Sequence, residues 1–136
     1  MKFFDAHTHV QFAAYNEDRK EVIERAIKNG VSMMNVGTQA DTSISAIKLA
    51  NEYEEGIYAS VGLHPIHADR SYHDEQELGG GEAAKAFTSK GEEFDYDNYK
   101  KMALDPQVVA IGECGLDYYR TETSDKNKGK AERDIY

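Results

Sequence analysis

Residues 2–9 read Lys-Phe-Phe-Asp-Ala-His-Thr-His, a short apolar run that leads directly into two histidines. Such a run, stopped by polar residues, predicts a short buried strand over 2–6. A doubly wound nucleotide-binding sheet carries a glycine-rich phosphate turn after its first strand. Here that turn is His-Thr-His, so a barrel-type sheet with a site at the end of its first strand is the favoured prediction.

Strands and helices alternate along the chain beyond this first strand. Further strands are predicted at 31–36, 57–61 and 108–112, and helices at 16–29, 41–54 and 97–104. Alternation of this kind indicates parallel strands joined by right-handed crossovers. The first three strands start at 3, 31 and 57, a spacing close to the roughly 31 residues per unit of a (β/α)₈ barrel. The predicted fold class is α/β: the amino-terminal half, about four βα units, of a TIM-type (β/α)₈ barrel.

The predicted half-barrel has two further features, a polar segment after the third strand and an early end of the chain. Residues 66–95 are polar and carry three glycines at 79–81, and we interpret them as an insertion in a single partial barrel domain that spans 1–136. The chain also stops in a predicted helix soon after the fourth strand, so we expect a fragment or a truncated gene product.

Composition narrows the class of protein. The 136 residues hold 25 acidic and 16 basic side chains, for a net charge of −9, which argues against a stable basic surface that holds nucleic acid by bulk charge. The sequence has no apolar run near the ~18 residues of a membrane span, so no membrane association is expected. Cys114 is the single cysteine, which indicates a reducing compartment and a cytoplasmic location; we expect it to be a small buried residue.

His7 and His9 are the first candidates for chemistry. Residues two apart on a strand project from the same face, and two neutral imidazoles on one rigid face can chelate a divalent cation. The plainer alternative is one exposed and one packed histidine at a strand end. Asp5 lies on the same face and could orient one of the rings, or form an ordinary hydrogen bond.

Glu113 and His64 follow the fourth and third predicted strands. An unpaired carboxylate after an apolar strand is costly to bury, so Glu113 either reaches solvent or binds a cation, where it could bridge two metal ions. His64, in Gly-Leu-His-Pro, could bind substrate through a phosphate or a leaving group, or could simply pack. His67 and His73 are expected to be surface histidines. Residues 117–120 (Asp-Tyr-Tyr-Arg) could line a site or pack a loop against the barrel rim.

Three stretches carry a resemblance to a known family. They are Phe-Asp-Ala-His-Thr-His at 4–9, Val-Gly-Leu-His-Pro at 61–65, and Val-Ala-Ile-Gly-Glu-Cys-Gly-Leu-Asp-Tyr-Tyr at 109–119. With them the sequence resembles the TatD family of metal-dependent deoxyribonucleases, within the amidohydrolase-like barrels. The resemblance implies a (β/α)₈ barrel with one or two divalent metal ions, Mg²⁺ being expected and Zn²⁺ or Mn²⁺ possible alternatives.

The same resemblance implies roles for particular residues. His7 and His9 hold one metal, and Glu113 bridges to the second and is the catalytic carboxylate. The family completes its site with two histidines and an aspartate from later strands, which these 136 residues do not include. DNA is the implied substrate, cleaved at its phosphodiester bonds by metal-activated water.

Other functions stay open from the sequence. An amidohydrolase that cleaves a cyclic amide or a lactone is one alternative, although many of those enzymes bridge their metals with a lysine where this chain has Glu113. A histidinol-phosphate-type phosphoesterase is disfavoured, because Gln11 breaks its extended H-x-H-x-H pattern. A non-enzymatic alternative is an inactive, truncated half-barrel that self-associates through open strand edges.

Overall fold

A computed structural model describes residues 2–68, 72–73, 87–88 and 91–116, with the backbone alone described at 72–73 and 87–88. The strands are β1 (Phe3–Thr8), β2 (Val31–Val36), β3 (Ile57–Val61), β4 (Tyr72–His73), β5 (Phe87–Thr88) and β6 (Val108–Ile111), and the helices are α1 (Arg19–Lys28), α2 (Ala40–Ala50), α3 (Pro65–Ala68) and α4 (Tyr96–Ala103). β1, β2, β3 and β6 form one parallel sheet in that order. With helices between the strands, this is the α/β half of a TIM-type barrel that the sequence predicts.

The strands at 31–36 and 57–61 are confirmed, whereas the first βα unit differs from its prediction. β1 continues to Thr8, and α1 begins at Arg19 rather than near residue 16, because a 3₁₀ turn at Ala13–Tyr15 precedes it. The Arg19 guanidinium binds main-chain carbonyls of residues 10–12, and this contact holds the segment in a loop rather than in a helix.

The helices bury one face of the sheet. Ile57, Ala59 and Val61 alternate along β3 and are almost fully buried, as expected for one face of a strand. Ile23 of α1 and Leu49 of α2 belong to the same buried core. Each of the valine, leucine and isoleucine side chains contributes roughly 1.5–3 kcal/mol when fully buried, so this face fixes the strands that carry the candidate site.

The sequence pattern of the helix predicted at 41–54 indicates Ile44, Ile47, Leu49 and Ala50 as its apolar positions. The first of these is wrong, because Ile44 is exposed. The helix instead buries Ser43, Ala46, Leu49 and Ala50, which recur every three to four residues on the side that faces the sheet.

Glu92, within the predicted insertion at 66–95, contacts the rest of the fold. The backbone N–H of Glu92 donates to the carbonyl of His67 at 2.7 Å. The Glu92 carboxylate accepts from the N–H of Ala40, at the start of α2, and from the Tyr99 hydroxyl of α4. β4 and β5 pair as an antiparallel ladder within this region. Among the described residues, no helix has the length and apolar character that a membrane crossing needs.

Candidate metal centre

The carboxyl ends of three strands bring the predicted site residues together. His7 lies in β1 and His9 directly after it, while His64 follows β3 and Glu113 follows β6. The carboxyl ends of parallel strands meet at one edge of a sheet, which is where barrel enzymes carry their active sites. All four side chains predicted from the sequence therefore share one location.

Short distances connect these side chains. Nε2 of His7 lies 3.2 Å from Nε2 of His9 and 3.5 Å from Oε2 of Glu113. Nε2 of His64 lies 3.5 Å from the other Glu113 oxygen, Oε1. One ligand atom from each of His7, His9 and Glu113 falls within 4.8 Å of the others, which is close enough for the three to share one cation.

A backbone carbonyl fixes the tautomer of His9. Nδ1 of His9 lies 2.9 Å from the carbonyl oxygen of Val36; because that oxygen only accepts, Nδ1 carries the proton. The lone pair of the neutral ring is then on Nε2, the atom that faces His7 and Glu113. A ring nitrogen held by such a contact is the usual arrangement of a metal-binding histidine.

The surroundings of His9 also favour its neutral form. Burial lowers the pKa of His9 from its ordinary 6.5, and the positive potential of a protonated His7 would lower the pKa further; the contact with Val36 opposes both effects only in part. Metals bind neutral imidazole, so the ring is in its ligand form at neutral pH.

The spacing of the donor atoms fits a metal ion. Two nitrogens bound to one tetrahedral ion at 2.0–2.1 Å lie about 3.3 Å apart, and the Nε2 atoms of His7 and His9 are 3.2 Å apart. Two imidazoles and a carboxylate are ligands for zinc and other divalent ions. The residues present therefore fit a divalent metal.

His64 has a different character from the other two histidines. Its Nδ1 accepts a hydrogen bond from the backbone N–H of Ile66 at 3.1 Å, so the proton of the neutral ring is on Nε2. The Nε2–H group of the His64 ring faces Oε1 of Glu113, which lies 3.5 Å from Nε2. His64 is therefore a hydrogen-bond donor at this site, as a substrate-binding role would require.

Backbone contacts place Glu113 over the sheet. Its N–H donates to the carbonyl of Gly37 at 2.9 Å, and the N–H of Gly112 donates to the carbonyl of Val61 at 2.9 Å. Gly62 lies beneath this segment: a Cβ there would be 2.6 Å from the carbonyl carbon of Gly112 and 2.8 Å from Glu113 backbone atoms. Only glycine allows the chain after β6 to approach this closely.

The sequence interpretation missed two residues near His9, one in the loop that follows it and one at the start of α1. Arg19 donates to the carbonyls of Val10, Gln11 and Phe12 and to Oδ1 of Asn16, at 2.7–3.1 Å. The Phe12 ring stacks on His9 with centroids 4.6 Å apart. Nothing in their spacing indicates these contacts, because they form only when the loop folds back over the start of α1.

Other expectations at the site have mixed outcomes. The Asp5 carboxylate accepts from the backbone N–H of His7 at 3.2 Å, so its observed contact is with the backbone and not with a ring. The expectation that Cys114 is buried is wrong: the residue is exposed, because it lies beyond the end of β6. His67 is half-buried, and its ring centroid is 6.4 Å from that of His64. Residues 117–120 lie outside the described residues.

A parallel α/β sheet with two imidazoles and a carboxylate at the carboxyl ends of its strands defines the class: the α/β half of a TIM-type barrel with a candidate metal site. The family can then be stated. The family model described as TatD related DNase matches residues 4–132, and the chain belongs to this family.

Several bacterial proteins are similar to the chain. A protein of Erwinia tasmaniensis named 3'-5' ssDNA/RNA exonuclease TatD is 35% identical over 118 residues, which cover 86% of this chain and 38% of that protein. The protein of the same name from Erwinia amylovora is 31% identical over 134 residues, 98% of this chain and 42% of that protein. The uncharacterized metal-dependent hydrolase YabD of Bacillus subtilis is 34% identical over 118 residues, 85% of this chain and 38% of that protein. The chain thus spans about two fifths of the length of the curated relatives it matches.

Proposed function

We propose that this chain carries part of the metal site of a hydrolase that cleaves phosphodiester bonds in nucleic acid, with DNA as a substrate. The observation that carries the proposal is the convergence of His7, His9 and Glu113 at the carboxyl ends of the strands, with the Nε2 lone pair of His9 directed into the cluster. The exonuclease names of the similar proteins support the substrate class. No observation favours the amidohydrolase alternative.

In this proposal His7 and His9 hold one divalent ion, and Glu113 is the catalytic carboxylate that reaches a second ion. A bound ion would polarise a phosphoryl oxygen and lower the pKa of water toward about 7. The family resemblance implies Mg²⁺, while the two imidazoles suit Zn²⁺ and the carboxylate suits Mn²⁺. The chain itself contributes the neutral ring of His9 and a carboxylate whose charge offsets that of the ion.

His64 would bind substrate. Its Nε2–H, directed at the Glu113 carboxylate, can donate to an anionic phosphoryl oxygen or to the oxygen of a leaving group placed beside that carboxylate. A donor fixed in this way does not need to change its tautomer when substrate arrives, which lowers the cost of binding.

Three further proposals concern the whole chain. The single cysteine supports a reducing, cytoplasmic location. The polar composition of residues 66–95 supports their interpretation as an insertion in one partial barrel domain. The exposed apolar side chains at the edges of the described sheet support self-association through those edges.

The proposed function is tested by metal binding and by cleavage in parallel. Calorimetric titration of the 136-residue chain with Mg²⁺, Mn²⁺ and Zn²⁺ should detect a bound ion that the double substitution His7→Ala, His9→Ala removes. The 136 residues lack the later-strand ligands that the family resemblance implies, so cleavage is assayed in a longer polypeptide that includes them. There, cleavage of a 5′-labelled single-stranded oligonucleotide should require one of these ions and be lost in the same variant.

A matched control separates a site effect from a general one. Lys20 and Glu24 form an exposed pair on α1, so replacing both with alanine should alter neither binding nor cleavage. Unchanged metal binding in the histidine variant would contradict the assignment of His7 and His9.

A further inference from the structure

Asn35 is a polar side chain at an unusual place. It lies in β2, opposite Thr8 of β1, and is completely buried. Its Nδ2 group is buried and has no hydrogen-bond partner among the described residues. Leaving a buried polar group unpaired costs about 1–3 kcal/mol, so an apolar residue of similar size would be the expected choice if packing alone mattered.

The carboxamide oxygen, in contrast, has two partners. The N–H of Val10 donates to Oδ1 of Asn35 at 3.0 Å. Oγ1 of Thr8 lies 3.0 Å from the same oxygen and 3.0 Å from the carbonyl of Met34, so its single proton is shared between these two acceptors. Thr8 and Val10 are the residues on either side of His9.

The backbone needs such an anchor at this point. The pairing of β1 with β2 shifts register between Asp5 and Thr8, so the regular ladder does not by itself define where His9 lies. The next residue of β2, Val36, accepts from the His9 ring at 2.9 Å. Two consecutive residues of β2 thus hold His9, Asn35 through the neighbouring backbone and Val36 through the ring.

We propose that Asn35 is a positioning residue for the metal centre: its carboxamide oxygen fixes the chain on both sides of His9 and thereby keeps the His9 ring on the Val36 carbonyl, with Nε2 presented to the metal. Without this oxygen, residues 8–10 can move away from β2. The hydrogen bond from the His9 ring to the Val36 carbonyl, 2.9 Å long, is then lost. That His9 binds a metal ion rests on the proposed function, whereas the effect of Asn35 on the tautomer of His9 does not.

The test reads the tautomer of His9 directly, in metal-free protein. Long-range ¹H–¹⁵N NMR spectra of the 136-residue chain labelled at histidine, at pH 8, should show His9 protonated on Nδ1. Asn35→Leu should convert a substantial share of His9 to the form protonated on Nε2. Asn35→Asp, which retains an acceptor for Thr8 and Val10, should preserve the wild-type tautomer.

Affinity for metal gives a second, separate readout. Zn²⁺ binding to Asn35→Leu should weaken by about 10-fold to 100-fold, the usual effect of losing a residue that orients a ligand. If the wild-type chain binds no Zn²⁺, the proposed function fails, while the tautomer still decides the inference about Asn35.

Controls keep the outcome decisive. Ile23→Val removes a methyl group from the core and lowers stability by about 0.5–1.5 kcal/mol, yet it should leave the tautomer and the affinity unchanged. If Asn35→Leu does not fold, Thr8→Val removes one of the two donors with little change in shape and should raise the Nε2-protonated share. The inference is overturned if Asn35→Leu folds and His9 retains the wild-type tautomer. If Asn35→Leu does not fold, the inference is overturned when Thr8→Val leaves the tautomer of His9 unchanged.

Discussion

Glu113 contacts two histidines through its two oxygens, His7 on Oε2 and His64 on Oε1. The backbone at Glu113 is held by main-chain hydrogen bonds, which do not involve the charge of the side chain. The negative charge is therefore available for a cation, and removing it should affect ion binding much more than folding.

The first prediction follows for Glu113→Gln. The amide has the shape of the carboxylate, so the free energy of unfolding should change by less than about 0.5 kcal/mol, the usual range for a change at a partly exposed site. Affinity for the divalent ion should fall at least tenfold, as measured by calorimetric titration. Glu24→Gln, on the exposed face of α1, is the matched control. A variant with full ion affinity but reduced stability would indicate a purely structural role.

The second prediction concerns pH and His9. Burial lowers the pKa of this ring in the folded chain below 6.5, while in the unfolded chain its pKa is close to 6.5. As the pH falls below about 6.5, the unfolded state binds the proton more readily, so His9 reduces folding stability on the acid side and has no effect above it. The variant His9→Asn provides the comparison, because its side-chain amide can still donate to the Val36 carbonyl but does not titrate.

Chemical denaturation at pH 7 and at pH 5 measures this effect. Wild-type chain should lose more stability between the two values than His9→Asn does, because the remaining groups titrate in both proteins. Equal losses in the two proteins would show that the His9 pKa is not lowered by folding.

At the scale of single residues, the sequence predicts ligands better than their supports. His7, His9 and Glu113 could be found because histidine pairs and a carboxylate after apolar strands are visible along the chain. Arg19 and Asn35 were not found, since their partners are backbone and side-chain atoms that come close only after folding. An amide within residues 31–36, which otherwise hold four apolar residues and one serine, is the one signal that could have indicated Asn35.

At the scale of elements, the positions of the strands followed from the apolar runs. The ends of an element followed from the sequence only where glycines mark them. β2 is bounded by Gly30 and Gly37, so its limits agree with the prediction. The start of α1 depends instead on the side chain of Arg19 binding the preceding loop. The periodicity of apolar residues does not show where such a helix begins. It indicates which face of an element is buried, but not which carbonyls accept hydrogen bonds from side chains.

The third prediction belongs to the junction of β3 and β6. Gly62→Ala would place a methyl group 2.6–2.8 Å from the backbone of Gly112 and Glu113, and this backbone has to move to relieve the clash. Overpacking of this kind typically costs about 1–3 kcal/mol, and Glu113 moves with the backbone. Both the melting temperature and the affinity for the divalent ion should therefore decrease.

Ser60→Ala is the control for this substitution. Ser60 is the buried residue two before Gly62, and its hydroxyl has no hydrogen-bond partner among the described residues, so its removal should leave stability and ion binding nearly unchanged. Wild-type ion affinity in Gly62→Ala would show that Glu113 does not depend on the close approach.

At the scale of the whole molecule, the helices cover one face of the sheet and leave apolar residues elsewhere. Phe4 and Tyr58 contact each other with ring centroids 5.8 Å apart, and Phe4 is exposed. β1 and β6 are the outer strands of the described sheet. Parallel sheets are almost always covered on both faces, and an eight-stranded barrel is filled by its own side chains, so two copies with four strands each could bury these surfaces together.

The last prediction is that the purified 136-residue chain associates through these edges. Phe3 on β1 and Ile111 on β6 are each 68% exposed, and pairing between copies would remove both from water. Light scattering after size exclusion should show a mass that rises with concentration, and Phe3→Lys with Ile111→Lys should shift the chain to a monomer, because charged side chains disfavour pairing at strand edges. Leu104→Lys changes an apolar residue that is 76% exposed, directly after α4 and outside both edge strands, and should associate as the wild type does. A wild-type chain that is monomeric at every concentration would contradict the prediction, and so would association that only Leu104→Lys abolishes.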